Sequence, residues 1–142
     1  MNCLSDLNDT PALATLLTFT ENSGNCDKED SKTLTIQGLD QIRGLYFKPN
    51  SFQNTDTLII DGLNNVEVIE VASRALPNVM RIDVSDESLG SLRKLDLQPL
   101  TKLRKFIVGE YSMTSARAVD MDGLSLLDLV QVNRGSFMRG EL

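Results

Sequence analysis

Val79-Met-Arg-Ile82-Asp-Val84 and, thirteen residues further on, Leu92-Arg-Lys-Leu95-Asp-Leu97 are two copies of one pattern: apolar, two spacers, apolar, spacer, apolar. Outward from Ile82/Val84 the apolar-x-apolar pair recurs at Leu34/Ile36, Leu58/Ile60, Phe106/Val108 and Val130/Val132, always 24 residues apart. Leu95/Leu97 belongs to a second series with Leu45/Phe47, Ile69/Val71 and Val119/Met121. All eighteen positions are apolar in a chain that is 41% apolar, a coincidence of about 10⁻⁷ for one pattern. Allowing for several hundred trial periods and phases raises that only to about 10⁻⁴. The period is real.

Two apolar residues with one spacer point the same way in an extended chain, so each pair marks a strand with one face turned inward. A third apolar residue commonly stands three places before the pair: Ile42, Val66, Val79, Leu92, Leu103 and Leu127. Turn formers fall between strands, at Gly38, Gly62, Pro77-Asn78, Pro99, Gly109 and Gly123. Strand-to-strand steps of 11 or 13 residues are too short for a crossover helix with two loops. The expected architecture is mainly β: a solenoid of about 4–5 coils with two parallel sheets and little helix. One coil buries too little apolar surface to offset its own chain entropy, so stacking makes the core. LxxL is also a helical spacing, but β-branched and aromatic pairs with frequent Gly and Pro disfavour a run of amphipathic helices.

Composition narrows the function. At 142 residues the chain is about one domain. Twenty acids against fourteen bases give a net charge of −6, which argues against nucleic acid or an anionic membrane as partner. The absence of His removes the Ser-His-Asp and Cys-His systems, His-ligated metals and the usual near-neutral general base. Twenty-two leucines and no Trp suggest a binding scaffold more than a catalyst.

Residues 42–50, Ile-Arg-Gly-Leu-Tyr-Phe-Lys-Pro-Asn, fit the consensus LxxLxLxxN. A hydrophobic, then small, then hydrophobic ending recurs at Phe47 to Ser51-Phe52, Val71 to Ala75-Leu76, Val108 to Ser112-Met113 and Val132 to Ser136-Phe137. On these residues the chain resembles the leucine-rich repeat proteins of the BspA-like subclass, over roughly residues 33–140. The resemblance implies a surface or secreted interaction protein without a catalytic site. Two departures stand out. Only Asn50 keeps the ladder asparagine, with Arg74, Glu87, Leu100, Tyr111 and Gly135 among its equivalents. The order of 11- and 13-residue steps also reverses after Ile82, as if a half-unit were duplicated between residues 71 and 95.

Residues 1–32 do not fit the repeat and read as an atypical N-terminal capping segment before the solenoid of residues 33–142. Within that segment Thr15 to Thr20 could add a strand, and Glu21 to Lys32 is a polar, acidic loop. Cys3 and Cys26 could close one disulfide loop, worth roughly 3 kcal/mol, or be two separate thiols. Acidic Asp6 and Asp9 before the short apolar stretch from Pro11 to Phe19 are the reverse of a signal peptide. Asn8-Asp9-Thr10 is a formal glycosylation acceptor. No run is long enough for a membrane helix. Leu142 falls within a coil without a polar cap, which suggests a piece of a longer array, or end-to-end self-association.

Asp120-Met-Asp122-Gly123 opens like a calcium loop, but Leu124, Ser125 and Leu126 follow where further ligands belong. Asp61-Gly62-Leu63 fills the same local slot, so the repeat explains it. Asp27, Glu29 and Asp30 read as a solvated loop. The outward spacers of the second series are Tyr46, Glu70, Asp96 and Asp120, with Lys94 beside them. Three stacked carboxylates could be a solvated face, bind a basic partner or cation, or act as an acid/base pair as in polysaccharide-cleaving β-solenoids. In the first series the outward spacers are Thr35, Ile59, Asp83, Ile107 and Gln131, flanked by Thr33, Thr57, Arg81, Lys105 and Leu129. Exposed aliphatics in a polar rim mark contact sites, although β-branched residues also simply suit strands. The expected partner-binding residues are therefore Ile59, Arg81, Asp83, Lys105 and Ile107. The reading is a non-enzymatic protein-binding module, with glycan as a second ligand class and no cofactor, catalytic residue or metal. A structural segment of a longer array and a carbohydrate-active β-solenoid are the alternatives.

Overall fold

The computed structural model describes residues 15–19 and 32–137. Cys3, Cys26, the Asn8 triplet and the acidic residues Asp27, Glu29 and Asp30 lie outside them. Ten strands follow in order: β1 (Leu16–Phe19), β2 (Thr33–Gln37), β3 (Gly44–Phe47), β4 (Thr57–Asp61), β5 (Val68–Val71), β6 (Arg81–Val84), β7 (Lys94–Asp96), β8 (Lys105–Val108), β9 (Ala118–Asp120) and β10 (Leu129–Val132). The described residues contain no helix.

The even-numbered strands form one five-stranded sheet in the order β2-β4-β6-β8-β10, every pair parallel. Its register is the 24-residue period itself, since Leu34, Leu58, Ile82, Phe106 and Val130 face one another across the strands. The odd strands make the second face, β1-β3-β5 followed by β7-β9. The chain is thus a parallel β-solenoid of about four turns, alternating between two faces. Leu58, Ile60, Ile82, Val84, Leu95, Leu97, Phe106 and Val108 are all at most 4% exposed and form its centre. β1, inside the segment read as a cap, is in register with β3 and buries Leu17 and Phe19. Phe19 stacks on Phe47 with ring centres 5.0 Å apart and meets the edge of Phe52 at 4.8 Å, which closes this end of the core.

The two faces are not equivalent. Leu45 to Ile69 is 24 residues, but Ile69 to Leu95 is 26. β5 and β7 pack side by side without forming a ladder, so the second face is cut there. The extra residues lie in the thirteen-residue half-turn from Ile82 to Leu95. The four thirteen-residue half-turns that follow β3, β5, β6 and β8 carry one device, as does the turn after β10, so the long connectors move from one side of the coil to the other after β6.

That device is a small residue between two left-handed ones. Asn50/Phe52, Arg74/Leu76, Glu87/Leu89, Tyr111/Met113 and Gly135/Phe137 all have φ between 47° and 79°. Ser51, Ala75, Ser88 and Ser112 between them are fully buried. Each left-handed residue other than glycine costs about 1 kcal/mol. Two returns offset it. The second residue of each trio drops an apolar side chain into the core, with Phe52, Leu76, Leu89 and Met113 at most 3% exposed. The amides also bond to neighbouring coils, Glu87 N donating to Glu110 O at 2.9 Å and Tyr111 N to Arg134 O at 2.8 Å. Serine hydroxyls add a ladder: Ser88 N donates to Ser112 Oγ and Ser112 N to Ser136 Oγ, both at 3.2 Å. Ser51 Oγ is buried without a partner; its counterpart one coil on is Ala75, which has no hydroxyl. The shared requirement is backbone shape, which explains why Arg74, Glu87, Tyr111 and Gly135 can replace Asn50. Leu100, in an eleven-residue half-turn, does not share the conformation.

Close approach also fixes Gly109. A Cβ there would meet the Asp86 backbone nitrogen at 2.7 Å and the Ser85 carbonyl carbon at 2.8 Å. Backbone cannot swing aside as a side-chain tip can, so Gly109→Ala is expected to destabilise the fold by about 1–3 kcal/mol. Thermal or urea unfolding would measure it, and an unchanged midpoint would refute the contact.

The C-terminal end differs from the N-terminal one. Leu34 and Ile36 are completely buried, whereas Leu129 and Val130 are 38% exposed. The reading of Val130 as a core position needs this correction. Its side chain points inward, but no strand lies beyond β10 among the described residues to cover it.

Candidate partner-binding sheet

The five-stranded sheet places Thr35, Ile59, Asp83, Ile107 and Gln131 in one row, each residue opposite the next across parallel strands. Alternation along the strands turns their side chains away from the core, because Leu58/Ile60 and Phe106/Val108 on either side of each isoleucine point in. Arg81 and Lys105 are neighbours in the adjoining row and are exposed. The five expected residues are therefore brought together on one continuous surface.

Two details differ from the sequence reading. Ile59 and Ile107 are half-buried, not fully exposed. Strands about 4.8 Å apart let neighbouring side chains in a row cover each other's flanks, leaving the tips in solvent. Arg81 and Asp83 are also not independent rim charges. Arg81 Nε donates to both Asp83 carboxylate oxygens at 3.0 and 3.1 Å, two residues along one strand. This fork neutralises the middle of the row and leaves Lys105 as the net positive group among the five.

The acidic face is less regular than its spacing implied. Glu70 faces Tyr46 and Asp96 faces Asp120, but the cut between β5 and β7 keeps Glu70 out of a ladder with Asp96. The three carboxylates do not form a continuous row. Asp96 Oδ1 accepts from Gln98 N at 3.0 Å and Asp120 Oδ1 from Asp122 N at 3.1 Å, so both carboxylates close local turns after their strands. Gly123 follows with φ 78°, matching Gly62 at 83°, which makes Asp120-Met-Asp122-Gly123 a turn of the repeat. Among the described residues no three His, Cys, Asp or Glu side chains cluster to hold a metal ion.

Sequence reasoning missed a groove along the cut. One part, of about 240 Å³, is lined by Tyr46, Lys48, Glu70, Ala72 and Asp96 among others. Asp96 also borders a second hollow of about 500 Å³ with Arg74, Pro77, Gln98 and Pro99. The signal was the two-residue excess between Ile69 and Leu95, visible in the numbering as a reversed step order. Its meaning as a break in one sheet needed the strand pairings.

Comparison of the chain with family models, curated proteins and solved structures returned no match.

Proposed function

We propose that this solenoid is a non-enzymatic interaction module of the leucine-rich-repeat type, resembling the BspA-like subclass, that holds a protein partner on its five-stranded face. The supporting observation is the row Ile59–Asp83–Ile107 on an unbroken parallel sheet, two aliphatic tips on either side of an internally neutralised ion pair. Such a surface costs little to desolvate, because the central charges already satisfy each other, and it provides a polar rim through Lys105. A glycan is the second ligand class, with the same flat face as its platform.

The double substitution Ile59→Ser, Ile107→Ser is expected to leave the circular dichroism spectrum and melting unchanged. It should weaken binding to a purified partner recovered by affinity capture by at least roughly tenfold, since each truncated anchor is worth about 1 kcal/mol or more. Titration calorimetry on both proteins measures it. Undiminished binding, with loss instead on changing Glu70, Asp96 and Asp120, would place the site on the other face. The groove at the cut gives that reading its own observation, since Glu70 and Asp96 both line it. A partner that proves to be a polysaccharide cleaved by the protein would move the function to the carbohydrate-active alternative.

A further inference from the structure

We infer that the groove along the cut is a binding site for a short neutral oligosaccharide, seated on Tyr46 and held by Glu70 and Asp96 from opposite banks. The site lies within the stack, with β1-β3-β5 on one side and β7-β9 on the other. It is separate from the row on the five-stranded face and does not rest on it.

Tyr46 supplies the apolar platform. Its side chain leans back along β3 over Gly44, where a Cβ would stand 2.9 Å from Tyr46 Cε2 and 3.0 Å from the tyrosine hydroxyl. Glycine at 44 thus lets the ring lie against the sheet instead of projecting from it, and Tyr46 borders the hollow of about 240 Å³. A ring laid down in this way offers its face to the C–H groups of a pyranose, with a polar tip beside it.

The walls select for a neutral ligand rich in hydroxyls. Lys48 and Glu70 line the same hollow, Arg74 the larger one, and Asp96 both. These two cations and two carboxylates sum to zero, and none pairs with another. The two ion pairs among the described residues, Arg81–Asp83 and Arg104–Asp128, lie elsewhere. A ligand of either charge would be opposed by half of this lining. A hydroxyl both donates and accepts, so a polyol can satisfy carboxylate, ammonium and guanidinium together. Asp96 Oδ1 accepts from Gln98 N at 3.0 Å, which pins its carboxylate in place at the edge of the groove.

Backbone groups add to the demand. Ala72 N donates to Phe47 O, so the even-numbered residues of β5 turn their N–H and C=O toward β3. Leu97 N donates to Asp120 O, so the odd-numbered residues of β7 turn theirs toward β9. Alternation leaves the groups of Ile69, Val71 and Asp96 directed at the cut, where no ladder takes them up, and all three residues line the smaller hollow. An extended peptide could meet these groups, but its side chains would find no apolar socket. Phe47 and Ile69 at the bottom are at most 7% exposed.

Titration calorimetry of the full chain against cellotetraose, maltotetraose, laminaritetraose and chitotetraose tests the site. Tetragalacturonate and tetra-alanine serve as the charged and peptide controls. At least one neutral tetrasaccharide is expected to bind at millimolar concentration, and neither control. Tyr46→Ala and Glu70→Gln, checked for native circular dichroism, should each weaken that binding roughly tenfold. Gly44→Ala should fold normally, because its methyl meets only side-chain atoms of Leu16 and Tyr46, yet weaken binding by displacing the ring. Ile59→Ser with Ile107→Ser should leave it unchanged. No binding of any neutral probe would overturn the inference, as would binding that survives both Tyr46→Ala and Glu70→Gln. Loss on the isoleucine double change, or tighter binding of either control, would overturn it too.

Discussion

Leu95→Asp is expected to abolish the folded state. Leu95 is the central residue of β7, 3% exposed, and faces Val119 at 5% across the one ladder that β7 makes among the described residues. A carboxylate there has no cation within the core to pair with, and an unpaired buried charge costs several kcal/mol, roughly 3–5, with the lost leucine contacts added. That approaches the whole stability of a domain this size. Ile82→Asp, 2% exposed in β6, should behave alike. Asp96→Asn, next in sequence to Leu95, should fold normally, because its amide oxygen can still accept from Gln98 N. Circular dichroism and thermal melting of the three variants test the register. A cooperative, native-like Leu95→Asp chain would place residue 95 on the surface and refute the two-faced coil.

Removing residues 58–81 should be tolerated, and removing residues 58–69 should not. Thr57 and Arg81 are register partners, so joining Thr57 to Ile82 sets Ile82 where Leu58 stood and restores the stack with one coil fewer. Solenoid stability is nearly a sum over coils and their interfaces, so the shortened chain should melt several degrees lower and still cooperatively. The twelve-residue deletion advances every later strand by half a turn. It sends β6, β8 and β10 toward the face built for their counterparts and inverts the order of long and short connectors against the remaining N-terminal coil. That chain is expected to be insoluble or molten. Equal solubility and equal melting for both deletions would count against alternation between two faces.

The contrast between these deletions shows how much the numbering already contained. A 24-residue spacing of inward pairs fixes which strand stacks on which, because parallel strands at equal steps have only one register that buries every pair. Ile59, Asp83 and Ile107 could be aligned in a row for that reason alone. Half-burial of the two isoleucines and the Arg81–Asp83 fork could not be read so, since both depend on rotamers chosen among neighbours. The left-handed trios were hidden for another reason. Their residue types vary from Asn50 to Arg74, Glu87 and Tyr111, and only the invariant small residue behind each betrays a common backbone. The reversed step after Ile82 was legible, but a shifted connector could equally have bulged into solvent. Only the pairings show that it separates β5 from β7. Val130 failed as a core position because periodicity describes the interior of a stack and is silent about its ends.

The cut between β5 and β7 also makes the rod mechanically anisotropic. Along the first face every coil is tied to the next by a parallel ladder, so that face behaves as an inextensible spine. On the other face the ties are missing at one level only. Bending that opens this slit breaks no ladder and loads only the flanking side-chain bonds, such as those of Asn64 with Glu87 and Gly90 and of Lys102 with Asn78, whereas bending at any other level strains a ladder. Flexural compliance is therefore concentrated at a single pivot, in the coil that holds β6, directly behind Asp83. Ile59 lies one strand to one side of that pivot and Ile107 one strand to the other. Small changes in curvature alter the splay of the two isoleucines without disturbing the pairing beneath either, so the face can match its shape to a surface it touches at the cost of one soft mode.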